Sequence, residues 1–262
     1  MTLPDRVQYW LFAIGYTTKG VVYFLMGVFA IATVVGLAYE TNGPHGVMEW
    51  LQNTYFGDGL LFLLGTGLGI YAFYKLYSAF FDSREEGTGA NALGNRFGWA
   101  LNGFVYATLS YTAYNLMWTG RMEDGDTRKD IIQIVLRYGW GETAVLLAAA
   151  TVAIVGMFQG YIALAGKHMK FIETGRFHVA KEQLFINLGR LGIIATSIIY
   201  LIMAWFLWEA ADMKNGEEFR GVGESLEVLE YGSTSSILLL IMGVGLLAYS
   251  MFMLVMARYG RA

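Results

Sequence analysis

Long apolar runs alternate with short polar stretches along this chain, and six of the runs reach the length of a membrane span: Trp10–Leu37, Leu60–Phe81, Phe97–Trp118, Thr143–Gly166, Leu188–Trp208 and Ser235–Ala257. A hydrocarbon core takes about 20 helical residues to cross, so each run predicts one transmembrane helix. Both prolines, Pro4 and Pro44, lie outside the runs, and no span is forced to kink.

Within the odd-numbered runs the same pattern recurs. Gly15-Tyr-Thr-Thr-Lys19-Gly20-Val-Val-Tyr23 returns as Gly98-Trp-Ala-Leu-Asn102-Gly103-Phe-Val-Tyr106, and again as Gly192-Ile-Ile-Ala-Thr196-Ser197-Ile-Ile-Tyr200. The columns hold Gly, a polar residue, a small residue and Tyr. Four residues past the Tyr, Gly27, Ser110 and Ala204 form a fifth, small column. At about 100° per residue these positions share one helix face about 140° wide. Of the even-numbered runs, the second and sixth agree: Gly65-Thr-Gly67…Tyr71…Ala79 matches Gly243-Val-Gly245…Tyr249…Ala257, while the fourth carries Gly156-x-x-x-Gly160. Recurrence of this kind marks one supersecondary unit used three times. The chain therefore reads as an all-α membrane protein, a single membrane domain over 1–262. Its three tandem helical hairpins, approximately 8–82, 95–167 and 186–259, are expected around a pseudo-threefold axis.

Each hairpin holds a long connection with a short amphipathic piece, Val47–Leu51, Ile131–Leu136 or Leu226–Leu229, followed by an aromatic-Gly pair, Phe56-Gly57, Trp140-Gly141 or Tyr231-Gly232. Structureless loops of that length are uncommon, so short helices at the membrane surface are expected.

Charge orients the spans. Of the 18 Lys and Arg, 12 lie at the termini, in the inter-hairpin loops or at the adjoining helix ends. The loops inside the hairpins carry most of the acids, among them Glu217, Glu218, Glu224, Glu227 and Glu230. The positive-inside bias places both termini in the cytoplasm, and the expected location is the inner membrane. Composition adds that the 33 Gly, well above the usual share of about 7%, suit close helix approach in lipid. With no Cys there is no thiolate metal site and no thiol nucleophile.

The first hairpin motif, together with Gly46-Val-Met-x-x-Leu51…Phe56-Gly57…Leu60-Leu61, Gly67-Leu-Gly…Tyr71 and the closing Ala257-Arg258-Tyr259-Gly-Arg261, resembles the bacterial integral membrane family known as domain of unknown function twelve-oh-six. The resemblance covers nearly the whole chain as three copies. It implies a six-helix membrane protein and leaves the chemistry open. Where that family usually has Arg in the first motif, this chain has Lys19, so a bidentate contact would become a point-charge contact.

Two candidate sites follow from the repeats: a polar column of Lys19, Asn102 and Thr196, and an aromatic column of Tyr23, Tyr106 and Tyr200. The bland expectation is that Lys19 snorkels to headgroups and the tyrosines bond between helices; the sharper one is a functional ring. Gly15, Gly20, Gly27, Gly98, Gly103, Ser110, Gly192, Ser197 and Ala204 are expected at helix contacts. Lys75 and Gln159, towards the cytoplasmic ends of their helices, read as interfacial, with a place on a polar path as the alternative. His45, His168 and His178 all fall in or beside loops, so no axial haem ligands are at hand, and no metal or other cofactor is expected. No phosphate loop or nucleophile elbow appears, and an enzymatic role ranks last, with His168, Glu173 and His178 as its only nearby candidates. The basic stretch from Lys167 to Arg190 suits anionic lipid headgroups rather than nucleic acid. The preferred expectation is a non-catalytic scaffold or accessory subunit, or a lipid-contacting module, meeting other membrane subunits through small-residue faces. The alternative is a small transporter or channel using the polar column.

Overall fold

The computed structural model describes residues 4–37, 43–81, 89–120, 127–166, 179–227 and 235–260. Among these, six long helices carry the apolar runs: α1 (Asp5–Val34), α3 (Gly57–Phe81), α4 (Ala90–Thr119), α6 (Gly141–Leu164), α7 (Val179–Asp212) and α9 (Ser235–Tyr259). Short helices α2 (Gly43–Gln52), α5 (Thr127–Leu136) and α8 (Val222–Glu227) stand between them, with a 3-10 turn at Gly216–Glu218. Five long helices are apolar enough to cross a membrane; α4 is not among them. Asn102, Ser110, Thr112 and Asn115, together with Trp99, Tyr106, Tyr111 and Tyr114, lower its mean hydropathy. α1, α4 and α7 start several residues before their apolar runs, because hydropathy marks the part that matches hydrocarbon, whereas the helix continues through Asn91, Asn95 and Arg96, or Gln183 and Asn187.

The short amphipathic helices form as expected, but α2 docks rather than floats. Val47, Met48 and Leu51 are buried, and the helix packs on α1, α3, α4 and α8. Behind it, Gly57 sits so close to the Gln52 carbonyl that any Cβ would strike backbone, and Gly141 is placed in the same way against Val135. That close approach is what the aromatic-Gly pairs encode. The third such pair, Tyr231-Gly232, lies outside the described residues, as do Val228 and Leu229 of the third amphipathic piece, while Leu226 is on α8. On that side of the bundle, Lys129 pairs with Glu224 at 3.0 Å, and Gln133 Oε1 accepts from the Gly216 N–H at 2.7 Å, tying α5 to the third hairpin's connection.

The most extensive packing runs between hairpins, not within them: α3 on α4, α6 on α7, and α9 back on α1. Equivalent residues meet in all three seams. Gly20 faces Leu254 and Ser250, Gly103 faces Leu76 and Ala72, and Gly156 and Gly160 face Ser197. Each seam also holds one serine-to-carbonyl bond between helices, Ser110 to Gly65 at 2.7 Å, Ser197 to Gly156 at 2.7 Å and Ser250 to Gly20 at 2.8 Å. Small residues let the backbones approach, and the serines satisfy themselves where lipid offers no partner.

Within the hairpins the packing is uneven. In the α1/α3 seam Gly15 lies under Tyr71 and Gly67 against Thr18; in the α7/α9 seam Gly192 lies under Tyr249 and Gly245 against Ala195. These are the same contacts in two copies. Among the described residues no comparable packing joins α4 to α6, and a Cβ on Gly98 would meet nothing within 4 Å. Counting back from Ala79, Ala163 and Ala257 shows why. The positions of Tyr71 and Gly67 are filled in α6 by Val155 and Thr151, and that of Thr18 in α4 by Leu101. The Tyr knob is gone and bulkier groups stand where the closed seams have a glycine and a small partner. The long helices thus form an arc, α4–α3–α1–α9–α7–α6, with an unpacked seam between its ends.

Candidate functional site

Lys19 sits midway along α1, on the face that carries Gly15 and Tyr23, and that face turns inward. The side chain is only 6% exposed. Snorkelling to the headgroups, the bland expectation, is therefore not what the structure has. Instead Lys19 Nζ lies 5.7 Å from the Tyr23 ring centroid, 5.4 Å from Tyr71, 5.1 Å from Tyr106 and 5.5 Å from Tyr249. The rings come from α1, α3, α4 and α9, so the cage exists only in the assembled bundle. They pack edge-to-face: Tyr71 on Tyr106 at 4.7 Å and Tyr23 on Tyr249 at 4.8 Å. Facing a cation with ring π-density is favourable by about 2 kcal/mol in desolvated surroundings. An ammonium in mid-membrane costs about 2.5–3.5 kcal/mol even on the lenient insertion scales. The cage offsets much of that cost but leaves three N–H donors poorly used. Among the described residues Lys19 has no carboxylate or hydrogen-bond partner.

Lys75, expected at the interface, is also inside. It is 7% exposed, donates to the Tyr16 hydroxyl at 3.2 Å, and stands 5.4–5.8 Å from the rings of Tyr16, Tyr71 and Tyr74. Tyr71 thus lies within 5.5 Å of both ammonium groups.

The two lysines open onto one cavity of about 260 Å³. Tyr16, Tyr71, Tyr200 and Tyr249 line it, as do Asn102 and Trp99 of α4, Gln159 and Ile162 of α6, and Met253 and Met256 of α9. Among the described residues no Asp or Glu is in the lining. Of the predicted polar column, Lys19 and Asn102 reach the cavity directly. Thr196 is buried one step behind, its hydroxyl 3.2 Å from Gln159 Oε1 and 3.0 Å from the Ile193 carbonyl. Asn102 Oδ1 is buried with no hydrogen-bond partner among the described residues. The tyrosine column is also brought together: Tyr23 and Tyr106 in the cage, Tyr200 in the cavity wall.

A second column was read in the sequence only as two separate polar residues, Lys75 and Gln159. Four residues before Ala79, Ala163 and Ala257 stand Lys75, Gln159 and Met253, and all three line the cavity. The signal was available, since the Tyr71…Ala79 and Tyr249…Ala257 match needed only to be carried through α6. Two arginines close the same side: Arg96 Nε donates to the Ala79 carbonyl at 2.6 Å and Arg190 Nε to the Ala163 carbonyl at 3.3 Å. Both cover helix C-termini, where cations are favoured. Lys167 and Lys170, expected at lipid headgroups, and His168, Glu173 and His178, weighed for enzymatic chemistry, lie outside the described residues.

Helices of this length and apolarity, threefold internal repetition and a shared cationic cavity define a multi-pass helical membrane protein. A family model for Domain of Unknown Function (DUF1206) matches at residues 14–82, 97–166 and 191–260, and the chain belongs to that family. It is similar to the uncharacterized protein YxxB of Bacillus subtilis (strain 168), with 26% identity over 246 residues, which span 94% of this chain and 89% of the relative. No solved structure matches.

Proposed function

We propose that this protein is a non-enzymatic, anion-binding membrane protein whose ligand sits in the central cavity between Lys19 and Lys75. The carrying observation is two buried ammonium groups on one cavity that has no carboxylate among the described residues of its lining. Among the described residues Lys19 has no counter-charge; a buried charge left so is costly, and an anion both pairs it and uses its idle N–H donors. Asn102 and the tyrosine hydroxyls supply neutral contacts that fix orientation. The reading takes six spans, α4 being admitted because its polar face lines the cavity, and three hairpins about a pseudo-threefold axis, supported by the equivalent contacts of the three seams between hairpins. It keeps both termini cytoplasmic in an inner membrane, as the Lys and Arg distribution supports, with anionic headgroups at the basic loops. The scaffold role expected from the small-residue faces leaned on an outward Lys19. The inward position counts toward binding of a solute, a feature that the alternative expectation, a small transporter or channel using the polar column, would share.

Thermal melting in neutral detergent with phosphate, sulfate, succinate or benzoate tests this. A ligand at 100 times its Kd stabilises by about 2.7 kcal/mol, which raises Tm by about 5 °C or more in a chain of this size. At least one anion should do so, and Lys19→Met should abolish the shift. No shift from any of them, or an equal shift in the variant, would sink the reading. A stable complex with another membrane subunit on gentle extraction, together with no anion response, would restore the scaffold.

A further inference from the structure

The anion site does not stand alone in the bundle. The cavity reaches both lips of the seam that the described residues leave unpacked: Asn102 of α4 and Gln159 of α6 line it, and Gly98 beside them has no described neighbour within 4 Å of an added Cβ. α6 is the least buried of the five most apolar helices. The lips themselves are apolar, with Leu101, Val105 and Val155 exposed. A charged cavity that opens between two helices through apolar lips has the polarity of an amphiphile: cationic inside, oily outside.

Resting on the anion site, we propose that the α4/α6 seam is a lateral entrance for a single-chain anionic amphiphile. Its head group, a phosphate or carboxylate, lies at Lys19 and Lys75 while its alkyl chain passes between the lips into the bilayer. The seam explains the choice. Water-soluble anions gain nothing from exposed Leu101 and Val155, whereas an alkyl chain covers them. The residues that hold the seam open, Leu101, Thr151 and Val155, are the ones that differ from the two closed seams.

The test uses the full chain in phosphatidylcholine nanodiscs, with binding of dodecyl phosphate and of inorganic phosphate measured against empty nanodiscs. Dodecyl phosphate should bind at least tenfold more tightly than phosphate. Giving the seam the residues of the closed ones (Leu101→Ala with Thr151→Gly and Val155→Tyr) should lower dodecyl phosphate binding at least tenfold and leave phosphate binding within twofold. Gly98→Leu, placed where a Cβ meets no described residue, narrows the gap from the α4 lip alone and should act in the same direction. Equal binding of the two probes, or dodecyl phosphate binding indifferent to both variants, would overturn the lateral entrance while leaving the anion site standing. Failure of both probes to bind would remove the anion site itself. A second copy of the chain filling the seam, seen as a nanodisc dimer that the seam variants split, would also overturn it.

Discussion

The α7/α9 and α4/α6 seams are built from equivalent stretches of two repeats, yet one is closed and the other open. In the closed seam Gly192 lies against the backbone of Tyr249, and Gly245 against Ala195. In the open seam Gly98 keeps its glycine but has lost its partner, because Val155 stands where the tyrosine belongs and Leu101 and Thr151 replace the small pair. A glycine in a membrane helix is thus half of a contact. Its value depends on what the facing helix presents, and a repeat can keep the motif after losing the interface.

The sharpest way to break this comparison is to place one large residue at the equivalent glycines. Gly192→Leu should be severe, since the added Cβ falls on the Tyr249 main chain, which cannot move aside as a side chain would. A loss above the usual overpacking cost of about 1–3 kcal/mol is expected. Gly103→Leu should fall within that range, its Cβ lying 2.7 Å from the flexible Leu76 Cγ. Gly98→Leu should shift Tm hardly at all, within about 0.5 kcal/mol. Melting curves in one detergent rank the three, and a Gly98 variant as unstable as the Gly192 one would mean the seam is packed after all.

Next in size is the buried charge. In anion-free buffer Lys19→Met should leave the protein as stable or raise it by about 1 kcal/mol, because the stem keeps its packing and the desolvation cost disappears. A drop of several degrees in Tm would show that the tyrosine cage more than compensates the ammonium.

The smallest effects sharpen the equivalence of the seams between hairpins. Ser110→Ala, Ser197→Ala and Ser250→Ala each remove one buried interhelical bond, and each should cost about 0.6 kcal/mol, with a ceiling near 1.7. Similar losses in all three, read as Tm shifts, support a common architecture. A loss confined to one seam would argue that the likeness is in sequence alone.

The sequence made the helices and the threefold repeat legible because both are periodic. Apolar runs and recurring Gly…Tyr columns need no knowledge of partners. The faces were legible too: Gly20, Gly103 and Ser197 do meet neighbouring helices. What stayed hidden was which helix meets which. Packing is densest between hairpins, and nothing in a single column says that α3 prefers α4 to α1. The site was half legible for the same reason. Lys19, Asn102 and Thr196 were read as one column, but the inward direction of Lys19 depends on tyrosines from three other helices. Lys75 looked interfacial from its place near the end of α3, whereas Tyr16 of α1 holds it inside.

The packing of α1 on α9 also bears on how such a chain is made. The helix that emerges first has as its principal partner the one that emerges last. At about 5–20 residues per second, on the order of 10–50 s separate the synthesis of Lys19 from that of Tyr249. Over that interval the lysine has neither its full cage nor its closing helix. A chain cut short before α9 would leave the ammonium in a cage open on the Tyr249 side, inside a half-built bundle, a mark by which membrane quality control could recognise the unfinished protein.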